Sequence, residues 1–178
     1  MRIVGGSLKG RRFTAPKQIP ARPTTDFAKE SLFNILSHQV SWPETDVLDL
    51  FAGIGSISLE CISRGAQRVT SVDISFHAIK WFQRLQKELQ LSNWHIAKGD
   101  VFKWLSSNTA QYDLIFADPP YDVEYYESLI DGITKEKLKE DGIFVLEHRK
   151  SDDFSHHPLF VEDRKYGEVK FSFFRLES

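Results

Sequence analysis

The sequence is poor in the residues that several classes of protein require. Only one of its 178 residues is a cysteine, Cys61, so neither an internal disulfide nor a zinc site of several thiolates can form. No stretch supplies the roughly 20 apolar residues that cross a membrane, because Asp49 and Glu60 interrupt the longest apolar segment. The N-terminus lacks the apolar segment of a secretory signal. We therefore expect a cytoplasmic protein without a membrane segment.

Metal-binding patterns are also missing. The sequence has six histidines. No two of them are four residues apart, and none has the spacing of a triad with carboxylates. His156 and His157 are adjacent, so on a strand their rings would point to opposite faces. Cys61 lies in an apolar stretch, which is more typical of a core residue than of a nucleophile. We expect no metal site.

Charge is unevenly distributed along the chain. The net charge is only −2, yet no acidic residue precedes Asp26. A basic arm on an acidic body indicates binding to a polyanion such as nucleic acid. The alternative is a solvated tail, but the turn signals Gly5-Gly6 and Lys9-Gly10 favour a hairpin. The basic residues of this arm are Arg2, Lys9, Arg11, Arg12, Lys17 and Arg22.

Strand and helix patterns alternate after the arm. Apolar runs predict strands over 46–51, 68–73, 94–98, 112–118 and 142–147, and a closing hairpin over 159–164 and 169–176. Periodic segments predict helices over about 26–38, 56–63, 76–89, 101–105 and 123–139. This alternation predicts an α/β fold, with a mostly parallel seven-stranded sheet and helices on both faces. Ligands of such sheets bind beyond the carboxyl ends of the strands, where the strand order reverses.

A glycine turn follows the first predicted strand, in the segment 49–56. Glycines allow the backbone to approach a ligand, and the next helix directs its N–H groups at it. Ser58 stands where the dinucleotide fingerprint requires a third glycine. Asp49 would repel a pyrophosphate, whereas it suits a cation such as the ammonium group of a methionyl cofactor.

Two more acids end the next two predicted strands. Asp73 follows Asp49 by 24 residues, near the spacing of an acid that binds ribose hydroxyls. Asp100 follows the third strand, where it could accept from an adenine amino group. Each acid alone is more often a helix cap or a solvated loop residue than a ligand-binding group. Together with the glycine turn, the three acids indicate S-adenosylmethionine as the cofactor.

The fourth predicted strand ends in the most specific motif, Asp118-Pro119-Pro120-Tyr121. Two prolines remove two N–H donors and stiffen the backbone. The Asp118 carboxylate and the Pro119 carbonyl can both accept from one planar NH₂ group, and Tyr121 offers a ring on which a base can stack. Two fixed acceptors would aim the nitrogen lone pair at a methyl electrophile. The alternative is an ordinary turn at the end of a strand.

These motifs carry a resemblance to a known family. The segments 49–56 and 118–121, with Asp73 and Asp100 between them, resemble the class I S-adenosylmethionine-dependent methyltransferases that act on exocyclic amines. The segments 2–12, 22–26 and 30–34 are similar to the RsmD-type bacterial 16S rRNA guanine-N2 methyltransferases. The resemblance covers nearly the whole chain. It implies a Rossmann-like fold with a small N-terminal β-hairpin, and a monomer that acts on 16S rRNA, free or in the assembling small subunit.

The motifs and the resemblance together predict three groups of residues. The catalytic residues are Asp118, Pro119 and Tyr121. The cofactor-binding residues are Asp49, Phe51, Gly53, Gly55, Asp73, Ile74, Asp100 and Val101. The residues that contact RNA are Lys9, Arg11, Arg12, Arg22 and Thr24. We expect residues 1–40 to form an RNA-docking extension and residues 41–178 to form the catalytic domain.

Other functions stay open on the sequence alone. An adenine-N6 methyltransferase of RNA or DNA also uses the Asp-Pro-Pro-Tyr motif, but only 17 residues separate Asp100 from Asp118, too few for an inserted recognition domain. A glutamine methyltransferase acting on protein would favour Asn at position 118. A non-catalytic RNA-binding module with a vestigial cofactor fold is disfavoured by the intact acids.

Overall fold

A single seven-stranded sheet organises the chain in a computed structural model, which describes residues 1–20, 24–120 and 125–176. The strand order is β3-β2-β1-β4-β5-β7-β6; β1 to β5 are parallel, and β7 is antiparallel to both β5 and β6. The predicted fold class is confirmed. The strands are β1 (Asp46–Leu50), β2 (Arg68–Asp73), β3 (Trp94–Lys98), β4 (Tyr112–Ala117), β5 (Leu138–Arg149), β6 (Phe160–Tyr166) and β7 (Val169–Phe174). The helices are α1 (Asp26–Ser37), α2 (Ser56–Ser63), α3 (Phe76–Glu88), α4 (Val101–Ser107) and α5 (Tyr126–Glu136), with a 3₁₀ turn at Trp42–Glu44.

Both faces of the sheet are buried. Successive residues of β1, Val47 and Leu48, enter two different core clusters, because side chains alternate along a strand. One cluster includes side chains of α1, α2 and α3, and the other includes side chains of α4 and α5. This explains the near-continuous apolar runs in the central strands. None of the described helices has both the length and the apolar composition that crossing a membrane would need.

Helix starts follow the predicted caps. Thr25 accepts a hydrogen bond from the Ala28 amide at 3.2 Å, and Ser75 accepts one from the Ala78 amide at 3.3 Å. A capped first turn satisfies a backbone donor that has no partner within the helix. The cap therefore fixes where α1 and α3 begin, at Asp26 and at Phe76.

The boundary between α5 and β5 differs from the prediction. The helix ends at Glu136 rather than near 139, and β5 begins at Leu138 rather than at 142. Leu138 is buried and pairs with Tyr112 of β4, so β5 begins before the polar residues 139–141 rather than after them. The ladder then shifts register, with Asp141 in the left-handed region at φ 64°, and resumes where Ile143 pairs with Leu114.

The predicted N-terminal hairpin is present and packs on α2. Ile3 donates to the Arg11 carbonyl at 3.0 Å, and its side chain is fully buried in the core. The Ser7 amide donates to the Ser63 carbonyl at 2.6 Å. The Val4 amide donates to Glu60 Oε2 at 3.0 Å. The division of function at residue 40 stays a prediction, and these contacts show that the hairpin is packed against the rest of the fold.

A buried ion pair lies between the hairpin, α1 and α2. Lys29 and Glu60 are both fully buried, and Lys29 Nζ is 3.8 Å from Glu60 Oε2. Burial lowers the pKa of Lys29. The ammonium group also donates to the Arg2 carbonyl at 2.5 Å and to Ser56 Oγ at 3.0 Å. Because Ser56 begins α2 directly after the glycine turn, Lys29 links the hairpin to the start of that helix.

Candidate active site

A cleft of about 1290 Å³ lies at the carboxyl ends of the strands, beside β1 and β4. These two strands are neighbours in the sheet, but the strand that follows β1 lies on one side of the pair and the strand that follows β4 lies on the other side. The strand order therefore reverses between β1 and β4. This is the position that the strand-order rule predicts. A site for one small ligand usually measures about 300–1,000 Å³. The cleft therefore has room for a cofactor and a nucleotide base together.

The turn after β1 forms one wall of the cleft. Phe51, Gly53 and Gly55 have φ angles of 56°, 57° and 75°, which the two glycines adopt without strain. Phe51 and Gly53 line the cleft. Gly55 is buried beneath the turn, and a Cβ on it would lie 2.8 Å from the ring of Phe82. Gly55 thus shapes the turn from behind.

Asp73, at the end of β2, is held by two backbone donors. Its Oδ2 accepts from the Gly53 amide and its Oδ1 accepts from the Ser75 amide, each at 2.8 Å. A carboxylate has about four acceptor positions, so each oxygen can accept another bond from a ligand in the cleft. Ile74, which is 67% exposed, adds an apolar surface to the same wall.

The acid after β3 caps a helix as well as lining the cleft. Asp100 Oδ1 accepts from the Lys103 amide at 3.0 Å and begins α4. Val101 and Phe102 follow it in the cleft lining, and the Phe102 ring centroid is 6.5 Å from that of Phe51. Together, Asp73, the apolar wall and this aromatic pair offer the hydroxyl acceptors and the flat apolar surfaces that an adenosyl group requires. The residues present fit S-adenosylmethionine.

Asp49 lies beneath the glycine turn and is 1% exposed. Its Oδ2 accepts from the Ser58 amide at 3.1 Å and from the Ser58 hydroxyl. Burial raises the pKa of Asp49 to about 7. Ser58 therefore supplies two hydrogen-bond donors to this carboxylate, at the position where a dinucleotide-binding site has glycine. Asp49 contributes to the lining of the cleft.

Two further acids, Asp118 and Glu147, lie on the same face of the sheet as Asp49. Phe116 of β4 pairs with Asp49 on one side and with Val145 of β5 on the other. Asp118 and Glu147 come two residues after Phe116 and Val145, so alternation places them on that face too. Burial and the neighbouring Glu147 raise the pKa of Asp118 well above its ordinary value. Burial also raises the pKa of Glu147 to about 7.

The segment before α1 reaches this acidic pair. The Thr24 hydroxyl donates to Glu147 Oε2 at 2.9 Å, and both residues line the cleft with Asp118 and Pro119. Two other predicted site residues, Arg22 and Tyr121, lie outside the described residues. Glu147 was missed in the sequence analysis, although an acid at the carboxyl end of β5 follows the same rule as Asp49 and Asp118.

Aromatic and basic side chains form the rim of the cleft on the side of Glu147. Phe27 is 72% exposed, and its ring centroid is 5.9 Å from that of Tyr166. Arg149 and Lys150 follow Glu147 in the cleft lining. The sequence gives no signal for this rim, because its members come from α1, from the end of β5 and from the β6–β7 hairpin.

Three of the four basic residues predicted to contact RNA lie on the N-terminal hairpin, and the fourth, Arg22, is outside the described residues. Lys9, Arg11 and Arg12 are exposed. Arg12 pairs with Arg2 across the hairpin, and Arg2 Nε is 3.0 Å from Asp26 Oδ2 at the start of α1. The hairpin is thereby fixed beside the N-terminal end of α1, which is next to Thr24. Contact of these side chains with RNA stays a prediction.

The sheet order and the cleft together define the class of this protein. A switch point between β1 and β4, with a glycine turn after β1 and an acid at the end of β2, is the arrangement of the class I methyltransferases, which use S-adenosylmethionine. The chain belongs to the family described as Conserved hypothetical protein 95, whose sequence profile matches residues 1–175.

Individual relatives are similar over most of their length. The Ribosomal RNA small subunit methyltransferase D of a Buchnera aphidicola strain from Acyrthosiphon pisum is 34% identical over 151 residues, which cover 83% of this chain and 78% of the relative. YlbH of Bacillus subtilis is 35% identical over 153 residues, which cover 83% of this chain and 82% of that protein. The solved structure of Escherichia coli yhhF shares the fold with a TM-score of 0.86 at 24% identity, covering 100% of this chain and 98% of that one.

Proposed function

We propose that this protein transfers a methyl group from S-adenosylmethionine to the exocyclic N2 amine of a guanine in 16S ribosomal RNA. The observation that carries the proposal is the placement of Asp118, which directly follows β4 and lines the cleft together with the cofactor wall. The relatives named Ribosomal RNA small subunit methyltransferase D support an rRNA substrate. The monomeric state, and 16S rRNA as partner either free or in the assembling subunit, belong to the same proposal.

Asp118 is suited to hold an amine. In the part of the chain that the structure describes, no hydrogen-bond donor reaches its carboxylate, so its acceptor positions are available to a substrate. The Pro119 carbonyl provides a second acceptor, and neither Pro119 nor Pro120 has an N–H that would compete. Two acceptors on one NH₂ group fix its plane and direct the nitrogen lone pair out of the base.

Asp118 also provides a destination for a proton. When bound, S-adenosylmethionine supplies an electrophilic methyl group on its sulfonium. The amine nitrogen would bond to the methyl carbon as the bond from that carbon to the sulfonium sulfur breaks, with S-adenosylhomocysteine as the leaving group, and the nitrogen must then lose one proton. A carboxylate with a raised pKa accepts that proton more readily than an ordinary aspartate would. Asp118 thus positions the amine and accepts its proton.

The cofactor-binding residues have separate parts in this proposal. Asp73 accepts from the ribose hydroxyls, while Asp100 and the backbone of Val101 face the adenine. Asp49 faces the cationic methionyl end from beneath the turn, where Ser58 holds it. These assignments follow the order of the residues around the cleft, from β1 to β3.

The experiment that tests the proposal uses cofactor with a tritiated methyl group. The full chain is incubated with naked 16S rRNA, with assembled small subunits and with DNA, and the labelled nucleic acid is digested to nucleosides. We expect N2-methylguanosine in one of the RNA samples and no label in DNA. Label in N6-methyladenosine, label in DNA, or no incorporation in any sample would contradict the proposal.

A further inference from the structure

We infer that Glu147 selects guanine, by accepting the N1–H of the target base while Asp118 and Pro119 hold its N2 amine. The inference rests on the proposed function and adds a residue that decides which base is accepted. It starts from the register of two strands, β4 and β5. Asp118 and Glu147 follow positions that pair across β4 and β5, and they lie on one face of the sheet. Neighbouring strands are about 4.8 Å apart, so these two carboxyl groups can contact adjacent atoms of one base.

Guanine is the base whose edge fits two such acceptors. It presents N1–H and the N2 amine as neighbouring donors. Adenine presents an acceptor at N1 beside its amine. Enzymes that modify a base take it out of the stack and recognise it by hydrogen bonds to its Watson–Crick edge. An ionised carboxylate fixed opposite N1 therefore favours guanine and repels an adenine.

The environment of Glu147 leaves one oxygen for this contact. The side chain is 4% exposed, and Thr24 donates to Oε2. Among the described residues, no donor reaches Oε1. The charged groups that influence it are acids, since Glu147 interacts with both Asp118 and Asp49. A donor on the base would offset this surplus of acceptors, and the N1–H of guanine supplies one.

Thr24 fixes the direction of this carboxylate. It precedes α1, and its hydroxyl bond spans the cleft from the N-terminal segment to β5. Loss of this bond would leave the charge of Glu147 in place and remove only its orientation. Thr24 is therefore a positioning residue, and it offers a control that separates orientation from base selection.

The test compares two bases in two proteins. Once the methylated guanine is mapped, full-length RNA is ligated with either guanine or 2-aminopurine at that position. 2-Aminopurine keeps the amine and has an acceptor at N1. Wild type should strongly prefer guanine in kcat/KM. Glu147→Gln should narrow that preference at least about tenfold, because an amide can accept from N1–H or donate to a bare N1.

Control variants distinguish the possible outcomes. Thr24→Val should lower kcat/KM for guanine and narrow the preference less than Glu147→Ala does, because the carboxylate remains and only its orientation is lost; Thr24→Ser, which keeps the hydroxyl, should recover most of that loss. Glu147→Ala, which removes the acceptor altogether, should also narrow the preference, and S-adenosylhomocysteine binding reports whether each variant is folded. An unchanged base preference in both Glu147 variants would overturn the inference and leave Glu147 as an anchor for the segment before α1. Methylation of adenine by wild type would instead contradict the proposed function, and the inference with it.

Discussion

The Gly53 amide donates a 2.8 Å hydrogen bond to Oδ2 of Asp73, which joins the glycine turn after β1 to the end of β2. Gly53 adopts φ 57° at this point, so the bond holds the turn in a left-handed conformation. The same carboxylate is the proposed acceptor for the ribose hydroxyls. Asp73 thus shapes one wall of the cleft, and in the proposed function its carboxylate also accepts hydrogen bonds from the cofactor.

Replacing Asp73 with alanine should weaken the binding of S-adenosylhomocysteine. A hydrogen bond to a charged group contributes about 1.5–3 kcal/mol, which corresponds to a loss of roughly ten- to a hundredfold in affinity. Titration calorimetry measures this directly. Asp73→Asn keeps acceptors for the turn but lacks the charge, so it should fall between alanine and wild type. An unchanged dissociation constant in Asp73→Ala would restrict Asp73 to a role in the turn.

Replacing Asp49 with asparagine should change how stability depends on pH. Burial raises the folded-state pKa of Asp49 from 3.8 to about 7. Between these values the folded protein keeps a proton that the unfolded chain releases, so stability falls as pH rises, by at most about 1.4 kcal/mol per pH unit. Urea unfolding at pH 5 and pH 8 should show that Asp49→Asn gains about 1–3 kcal/mol over wild type at the higher pH.

A control variant separates Asp49 from the other acids. Asp73 and Glu147 also influence Asp49, and both remain in each protein compared. Glu44→Gln, on the exposed 3₁₀ turn, should keep the same difference from wild type at both pH values. If Asp49→Asn behaves in the same way as Glu44→Gln, then Asp49 does not carry a raised pKa in the folded protein.

Neutralising the hairpin should weaken RNA binding and leave cofactor binding unchanged. The triple variant Lys9→Gln, Arg11→Gln and Arg12→Gln removes three exposed cations from a segment without acids. The slope of log K against log salt should fall by about 0.7–0.9 for each lost phosphate contact. A salt titration of RNA affinity measures the slope, and calorimetry with S-adenosylhomocysteine checks the cofactor site.

A matched triple variant of the body provides the control for the hairpin. Arg84, Lys87 and Lys103 are exposed on α3 and α4, and replacing them with glutamine removes the same charge. Their loss should change the salt slope less than loss of the hairpin cations. Equal slopes for the two triple variants would show that the hairpin has no special contact with phosphate. Weaker cofactor binding in the hairpin variant would show that its exposed charges also support the site.

Most of the fold followed from the sequence because its signals are local. The bounds of α2, β2 and β3 agree with their predictions, since caps, glycines and apolar runs determine them. The start of β5 was wrong, because the polar segment after Leu138 continues a helical pattern. Only the pairing of Leu138 with Tyr112 shows that it already belongs to the strand.

The candidate site was predictable where an acid lies at the carboxyl end of a strand or just beyond it. Asp49, Asp73, Asp100 and Asp118 all line the cleft, as the parallel-sheet rule predicts. The bond between Thr24 and Glu147 joins residues 123 positions apart, and no local pattern indicates it. The buried pair of Lys29 and Glu60 was missed for the same reason, since each residue alone resembles an exposed helical charge.

Asp118→Ala, measured for methyl transfer and for cofactor binding in one preparation, tests the central claim most directly. Asp118 is assigned to the target amine, so its loss should abolish transfer to rRNA while the S-adenosylhomocysteine dissociation constant stays near that of wild type. Turnover near the wild-type rate would contradict the assignment of Asp118 and, with it, the proposed catalytic use of the cleft.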